Sequence, residues 1–426
     1  MDGWQFQCSN TTCLPFATFS VSSIDNCEMA CLAEVHCKAF SFHKSSSNCE
    51  LFADISNQND NLLVNVDTIT MIVTDGTRFP LGCSTFLNQT TYSVGTNPRS
   101  VAVADVNNDS KPDIIVGNYG TDTVGVLLNT GSGIFNAQTT YAVGSSPQAV
   151  TVVDVNSDNK PDIVVANAGS NNVGVLLNAG NGTFNAQTTY SVGNGPCSVA
   201  LVDVNSDNKP DIIVANGGSP YTVGVLLNTG NGTFKAQTNY TVGTSPFLVA
   251  VIDVNSDNKP DIVVTNRGSN TIGVLLNTGN GTFNAQTTYT AGGSPTSVAV
   301  VDVNSDNKPD IVVANQAWNT VGVLLNTGNG TFNAQTNYSV GAYPTSVAVV
   351  DVNSDNKSDI VVTNQSSNNV GVLLNTGNGT FNNQTTYTVG SYPFAIAVVD
   401  VNSDSKPDII VTNTGSPYTF GVLLHC

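Results

Sequence analysis

Residues 297–325 read SVAVVDVNSDNKPDIVVANQAWNTVGVLL, and the acidic middle of this stretch, Asp302-Val303-Asn304-Ser305-Asp306-Asn307-Lys308-Pro309-Asp310, recurs throughout the chain. The pattern Asp-Val-Asn-x-Asp-x-Lys-x-Asp starts at Asp105, Asp154, Asp203, Asp253, Asp302, Asp351 and Asp400, spaced by 49 residues with a single step of 50. β-Branched runs broken by Gly, Asn and Pro flank every copy, and such runs are strand signals. In the quoted unit they predict strands over 297–303, 311–314 and 321–325, then a fourth over 331–340 after a Gly-Asn-Gly turn. Four antiparallel strands per repeat of this length describe a propeller blade, and seven repeats describe a seven-bladed ring. No part of the repeat has a 3.6-residue period, which excludes a helical solenoid.

The ends of the ring match. The last repeat stops after its third strand at 421–424, and the missing fourth strand stands before the first acidic loop, where 85–94 (TFLNQTTYSV) copies 331–340 (TFNAQTNYSV). The N-terminal strand is therefore expected to complete the last blade and hide the sheet edges that an open ring would expose. The expected fold is mainly all-β: a seven-bladed β-propeller over 83–426, preceded by a small α+β, disulfide-rich domain over 1–82. Superposing the repeats puts Cys426 in the slot of Thr327 and Cys83 in the slot of Asn329. Those slots face each other across a turn, within disulfide reach, which predicts a Cys83–Cys426 clasp. Cys197 takes the slot of Thr296 and is expected to stay a free thiol.

Each acidic loop offers oxygen at positions 1, 3, 5 and 9, with the carbonyl of the position-7 lysine as a fifth donor. Hard cations want several oxygens, so the loops predict one structural Ca²⁺ per blade. The ligand sets are Asp105, Asn107, Asp109, Lys111 and Asp113; Asp154, Asn156, Asp158, Lys160 and Asp162; Asp203, Asn205, Asp207, Lys209 and Asp211; Asp253, Asn255, Asp257, Lys259 and Asp261. The remaining three are Asp302, Asn304, Asp306, Lys308 and Asp310; Asp351, Asn353, Asp355, Lys357 and Asp359; Asp400, Asn402, Asp404, Lys406 and Asp408. Position 6 needs a left-handed turn, and Asn tolerates that conformation best after Gly. An EF-hand would need a glutamate at position 12 and an exiting helix, whereas these loops exit into Ile-Val-Val or its like. Solvated acidic turns would explain one such loop. Seven copies, each crowding three carboxylates, would repel badly without a cation.

The charge agrees with this reading. The seven loops hold 21 of the 31 acidic residues, and seven divalent ions would bring the formal charge of −18 to −4. With a dissociation constant near 0.1 mM in millimolar calcium, each site would add about 1.5 kcal/mol, and seven about 10 kcal/mol. With 13 basic residues and no basic stripe, a nucleic-acid partner is not expected.

The acidic motif, its period and the blade number resemble the FG-GAP (VCBS-type) repeat, the blade unit of integrin α-chain propellers. The resemblance covers residues 83–426. It implies calcium loops between first and second strands on the lower face, with ligand contacts on the upper face. Asn or Ser stands at position 6 where that family prefers Gly.

Six of the nine cysteines fall within the first 49 residues, a density that reads as a disulfide framework from an oxidising compartment. Zinc is the competing reading, but the two-residue spacing of a zinc knuckle is missing and no paired histidines follow. Helical periodicity over 22–33 precedes strand-like runs at 37–42 and 49–52. The series Cys27-x3-Cys31-x5-Cys37-Lys38-Ala39-Phe40, closing with Cys49, resembles a PAN/apple domain. That resemblance implies Cys27–Cys49 and Cys31–Cys37 bonds, leaving Cys8–Cys13; a family-typical bond from the N-terminus to Cys83 is the rival to the clasp. PAN domains are protein- or glycan-binding modules. No apolar run reaches membrane-spanning length and no signal-peptide pattern opens the chain. The cysteines suggest a secreted or cell-surface protein, and a removed leader, or a sequence that is a fragment of a longer gene product, would reconcile the two.

Catalysis has few parts to draw on. Between Ser84 and Leu424 there is no histidine or glutamate, and Asp122 is the single acid outside the loops. A glycosidase carboxylate pair would have to borrow metal ligands, so an enzyme is not expected. The repeats differ most on the face opposite the acidic loops. Fourth-to-first connections vary at Arg99, Gln148, Cys197, Phe247, Thr296, Thr345 and Phe394, with Tyr343 and Tyr392 just before; second-to-third loops vary at Tyr119, Tyr221, Arg267, Trp318 and Tyr418. Aromatics with scattered Arg are typical of binding surfaces. The ligand candidates are therefore Arg99, Tyr119, Tyr221, Phe247, Arg267, Trp318, Tyr343, Tyr392, Phe394 and Tyr418, against the alternative of drift in unconstrained loops. On the acidic-loop face, Asn-Gly-Thr at Asn181, Asn231, Asn280, Asn329 and Asn378 suits tight hairpins and is also a glycosylation acceptor, as are Asn10 and Asn88. The function expected is calcium-stabilised adhesion or recognition of a protein or glycan, with a calcium-dependent lectin as alternative.

Overall fold

The computed structural model describes residues 86–425 and, ahead of them, the backbone of six strands. The chain divides into two compact units, Met1–Cys83 and Ser84–Cys426. In the first, Ala17–Ser20, Asn48–Ala53, Cys37–His43 and Thr68–Ile72 form one antiparallel sheet in that order, and Trp4–Phe6 pairs with Leu62–Val64. The helix expected over 22–33 and the pairings Cys8–Cys13, Cys27–Cys49, Cys31–Cys37 and Cys83–Cys426 lie outside the described residues, as does Asn10.

The second unit is a seven-bladed propeller. Blade 5 shows the plan: Pro295–Val301, Asp310–Asn315, Thr320–Leu324 and Thr336–Ser339 pair antiparallel in sequence order. Its second strand is buried at every residue, because each blade is sandwiched between two neighbours. A strand covered on both faces needs a continuous apolar run rather than alternation, which Ile311-Val312-Val313-Ala314 supplies. The core therefore lies between blades. Val312, Val321 and Val323 of blade 5 pack with Val347, Ile360 and Leu373 of blade 6, and the last such layer joins Ile114 and Val116 of blade 1 to Ile410 and Val422 of blade 7. Each fully buried Val or Ile contributes about 1.5–3 kcal/mol.

The ring closes as expected. Thr419–Leu423 pairs with Thr90–Ser93, matching Val422 with Thr90 and Thr419 with Ser93, and Phe86 bridges His425.

One expectation is corrected. Residues 331–340 do not form one fourth strand; Thr331–Phe332 pairs with Asn326–Gly328 in a separate ribbon, and the blade's own edge is Thr336–Ser339. The same split occurs in the other complete repeats. The ribbon turns away to reach the preceding blade. Phe332 meets Tyr289 edge-on at 5.3 Å, and the Tyr289 hydroxyl donates to the Gly330 carbonyl at 3.2 Å. Gly330 sits at φ 71°, where a Cβ would also stand 2.8 Å from Leu276 of blade 4. Tyr–Phe couples of this kind run round the ring and include its seam, where Tyr387 of blade 6 meets Phe86 at 5.3 Å.

Candidate metal loops and axial cavity

The acidic loops lie between first and second strands in all seven blades. In blade 2, Asp154 Oδ1 accepts the backbone N–H of Asn156, Ser157 and Asp158, and its Oδ2 accepts that of Asn159 at 2.7 Å. Asn156 and Asp158 accept the N–H two residues on, so the loop curls over its first aspartate. Position 6 is left-handed as expected (Asn159, φ 62°), and position 4 is too (Ser157, φ 63°). The second turn was missed, because Ser carries no strong left-handed signal.

Position 9 is fully buried in every loop. Asp162 accepts the N–H of Val155 on one oxygen and that of Asn178 on the other. Burial, reinforced by the carboxylates at positions 5 and 1, raises Asp162, Asp211, Asp261, Asp359 and Asp408 to about 6, against the pull of two N–H donors. Asp113 and Asp310 are raised for the same reasons. All-oxygen donor sets of this kind suit hard cations such as calcium, and positions 1, 3, 5 and 9 with the carbonyl of position 7 are the groups that would hold one. When bound, calcium would supply two positive charges against the three carboxylates of each loop. Among the described residues no group of three or more His, Cys, Asp or Glu side chains is placed to hold a metal ion, and the loop carboxylates accept backbone N–H groups instead. The position-7 lysines point outward, and Lys160 Nζ lies 3.5 Å from Asp158.

Successive loops are joined. Asn178, whose N–H holds Asp162, donates its side-chain amide to the Val106 carbonyl at position 2 of the preceding loop. Asn129, Asn228, Asn277, Asn326 and Asn375 repeat this link, and in blade 7 the N–H of His425 serves Asp408. The hairpin residues Asn181, Asn231, Asn280, Asn329 and Asn378 are exposed and left-handed, and Asn88 is exposed.

On the opposite face the seven variable residues that begin the first strands, Arg99, Gln148, Cys197, Phe247, Thr296, Thr345 and Phe394, line one cavity of about 180 Å³. Arg99, Phe247, Arg267, Tyr343 and Phe394 share a second cavity of about 220 Å³ with Thr296, Thr345, Gln316 and Gln365. Tyr119 joins through Arg99, whose guanidinium lies 3.9 Å from the Tyr119 ring and 5.6 Å from that of Phe394. Arg267 lies 5.5 Å from the Phe247 ring. Arg99 donates to Gln148 at 3.0 Å and Arg267 to Gln316 at 2.8 Å. Burial lowers the pKa of Arg99. Cys197 is a free thiol whose pKa burial raises, against both arginines.

The structure thus unites six of the ten ligand candidates. Trp318, 57% exposed, lines a different groove with Tyr289 and Phe332; Tyr221, Tyr392 and Tyr418 line neither axial cavity. Gln316 and Gln365 were missed. Their signal was positional, since they follow the second strand in the slot that Tyr119 and Arg267 fill in other blades.

The FG-GAP-like repeat model matches residues 105–165, 154–214, 203–264, 253–313, 302–362 and 351–411, and the PAN domain model matches 7–72. Curated proteins include no match to the chain. Among solved structures, the virginiamycin B lyase of Staphylococcus aureus is similar at 14% identity and TM-score 0.56, over 80% of this chain and 99% of that one. A protein from Lactobacillus plantarum is similar at 16% identity and TM-score 0.57, over 84% and 98%. Kuenenia stuttgartiensis hydrazine synthase is similar at 13% identity and TM-score 0.58, over 78% and 97%. At these identities the likeness concerns the fold.

Proposed function

The chain belongs to the FG-GAP-like repeat family, and from that premise we infer that it is an extracellular, non-catalytic recognition protein that binds a protein or glycan ligand at the axial cavity. The observation that carries this reading is the convergence of Arg99, Phe247, Arg267, Tyr343 and Phe394 from four blades into one cavity. Repeat symmetry alone brings this slot of every blade to the axis; what supports the reading is that Arg, Phe, Gln and Thr side chains fill it here. The neighbouring PAN match adds a second module of a kind suited to recognition. Lyase and synthase neighbours share the architecture, but architecture does not carry chemistry. Outside the metal loops the propeller offers a single carboxylate, Asp122, whose Oδ1 accepts the Ser146 N–H.

Calcium is assigned a structural role: it holds the lower face while the upper face binds. Secretion, disulfide formation in the N-terminal domain and glycosylation at the exposed Asn-Gly-Thr hairpins belong to the same reading. Among the described residues no helix is long and apolar enough to cross a membrane.

The test is a glycan array with a surface-protein pull-down, in calcium, comparing the unaltered chain with Phe394→Ala and Trp318→Ala. Loss of capture with Phe394→Ala and retention with Trp318→Ala is expected. Capture that survives Phe394→Ala but not Trp318→Ala would move the site to the rim, and no capture on either platform would end the recognition reading.

A further inference from the structure

Two cations at the axial cavity have no acid to answer them. Arg99 in blade 1 and Arg267 in blade 4 both line it, and among the described residues neither guanidinium is paired with a carboxylate. The chain is not short of acids, with 31 in all, yet they gather in the loops of the opposite face. Each arginine is instead held by a neutral carboxamide, Gln148 or Gln316, and laid against an aromatic ring. This arrangement fixes the fork of donors without neutralising it. Burying an unpaired charge costs free energy that a matching anion removes, and a guanidinium fork matches a carboxylate or sulfate in two parallel hydrogen bonds.

The rest of the lining narrows the ligand. Gln316 and Gln365 line it with carboxamides, while Phe247 and Phe394 offer flat apolar faces. The Thr296 and Thr345 hydroxyls, which donate to the Pro344 and Phe394 carbonyls, keep lone pairs that can accept from a sugar hydroxyl. At about 220 Å³ the cavity lies below the range of roughly 300–1,000 Å³ typical of drug-sized ligands, so it admits one residue-sized unit. A formal charge of −18 opposes a long polyanion but not a single end group. We propose that the axial cavity binds the terminal acidic sugar of a glycan, with Arg99 and Arg267 holding its anionic group and the Thr and Gln side chains its hydroxyls. This rests on the axial cavity being the recognition site.

The test is calorimetric titration of the full chain, in calcium, with a disaccharide ending in glucuronate, its glucose-ended counterpart, inorganic sulfate and a short peptide ending in glutamate. Preference for the glucuronate end is expected, weakened by salt. Removing one charged hydrogen-bond partner in Arg99→Gln or Arg267→Gln should weaken it about tenfold to a hundredfold, with Arg267→Lys restoring part of the loss. Unchanged melting in calcium certifies each variant, and either arginine alone suffices if the other variant fails to fold. Equal binding of the glucose end, tightest binding of the peptide or of sulfate alone, indifference to both Arg→Gln changes, or no binding of any probe would overturn the proposal. A neutral glycan or a protein captured at the same cavity would leave the recognition reading standing while this inference fell.

Discussion

Asn178 donates its side-chain amide to the carbonyl of Val106, 2.9 Å away in the preceding blade, while its own N–H holds the buried Asp162 at 2.8 Å. One residue thus ties an acidic loop to its neighbour. A second side-chain bond, to the Pro161 carbonyl at 2.9 Å, leaves Asn178 no freedom to turn away.

Asn178→Ala should therefore destabilise the protein by about 1–3 kcal/mol, the cost of leaving buried carbonyls without donors. Asn181→Ala, three residues on and exposed, should cost less, through its left-handed backbone alone. Urea melts of the two variants check the contrast, and equal losses would contradict the inter-loop link.

The buried position-9 carboxylates predict opposite pH trends with and without calcium. A folded pKa of about 6 for Asp162, Asp211, Asp261, Asp359 and Asp408 exceeds the ordinary value of 3.8. Their contribution to the chelated protein is thus fully present below 3.8 and is lost as pH rises through about 6. Calcium needs the ionised form, so its stabilisation should grow over the same interval. Melting temperatures from about pH 4 to 7, in chelator and in millimolar calcium, should diverge as pH rises; parallel curves would refute calcium at these loops.

Within a loop, lysine and aspartate should behave differently. Lys160 reaches Asp158 on the surface, an ion pair worth about 0–1 kcal/mol, and its proposed metal donor is the backbone carbonyl. Lys160→Ala should leave calcium-dependent melting nearly intact, while Asp158→Ala should reduce it.

The aromatic couples can be tested as pairs. Changing Tyr289 and Phe332 to Leu, singly and together, should reveal a coupling of about 0.5–1.5 kcal/mol, since their rings meet edge-on across two blades. Additive losses would mean the rings merely fill space.

The seven loops were legible because Asp, Asn and Lys recur at fixed intervals, and periodic residues announce their structure. The closing strand was legible for the same reason, since Tyr92 and its neighbours copy the segment around Tyr338. The split of the fourth strand was not. Phe332 and Tyr338 lie in one β-prone run, and only the packing shows that each belongs to a different inter-blade couple, Phe332 with Tyr289 and Tyr338 with Phe381. At the axis, Arg99 and Phe247 stood out as departures from the repeat, but Gln316 and Gln365 looked like ordinary loop residues. Trp318 stood out by its size, and it lines a groove with Tyr289 and Phe332 rather than the axis.

The closing strand also has a mechanical meaning. Thr90–Ser93 and Thr419–Leu423 lie at opposite ends of the repeat array, yet they are laid edge to edge. Tension drawn through the two ends of the array would reach this seam before any other blade. The force needed to part it, rather than the average firmness of the sheets, would set how long the circle survives under load.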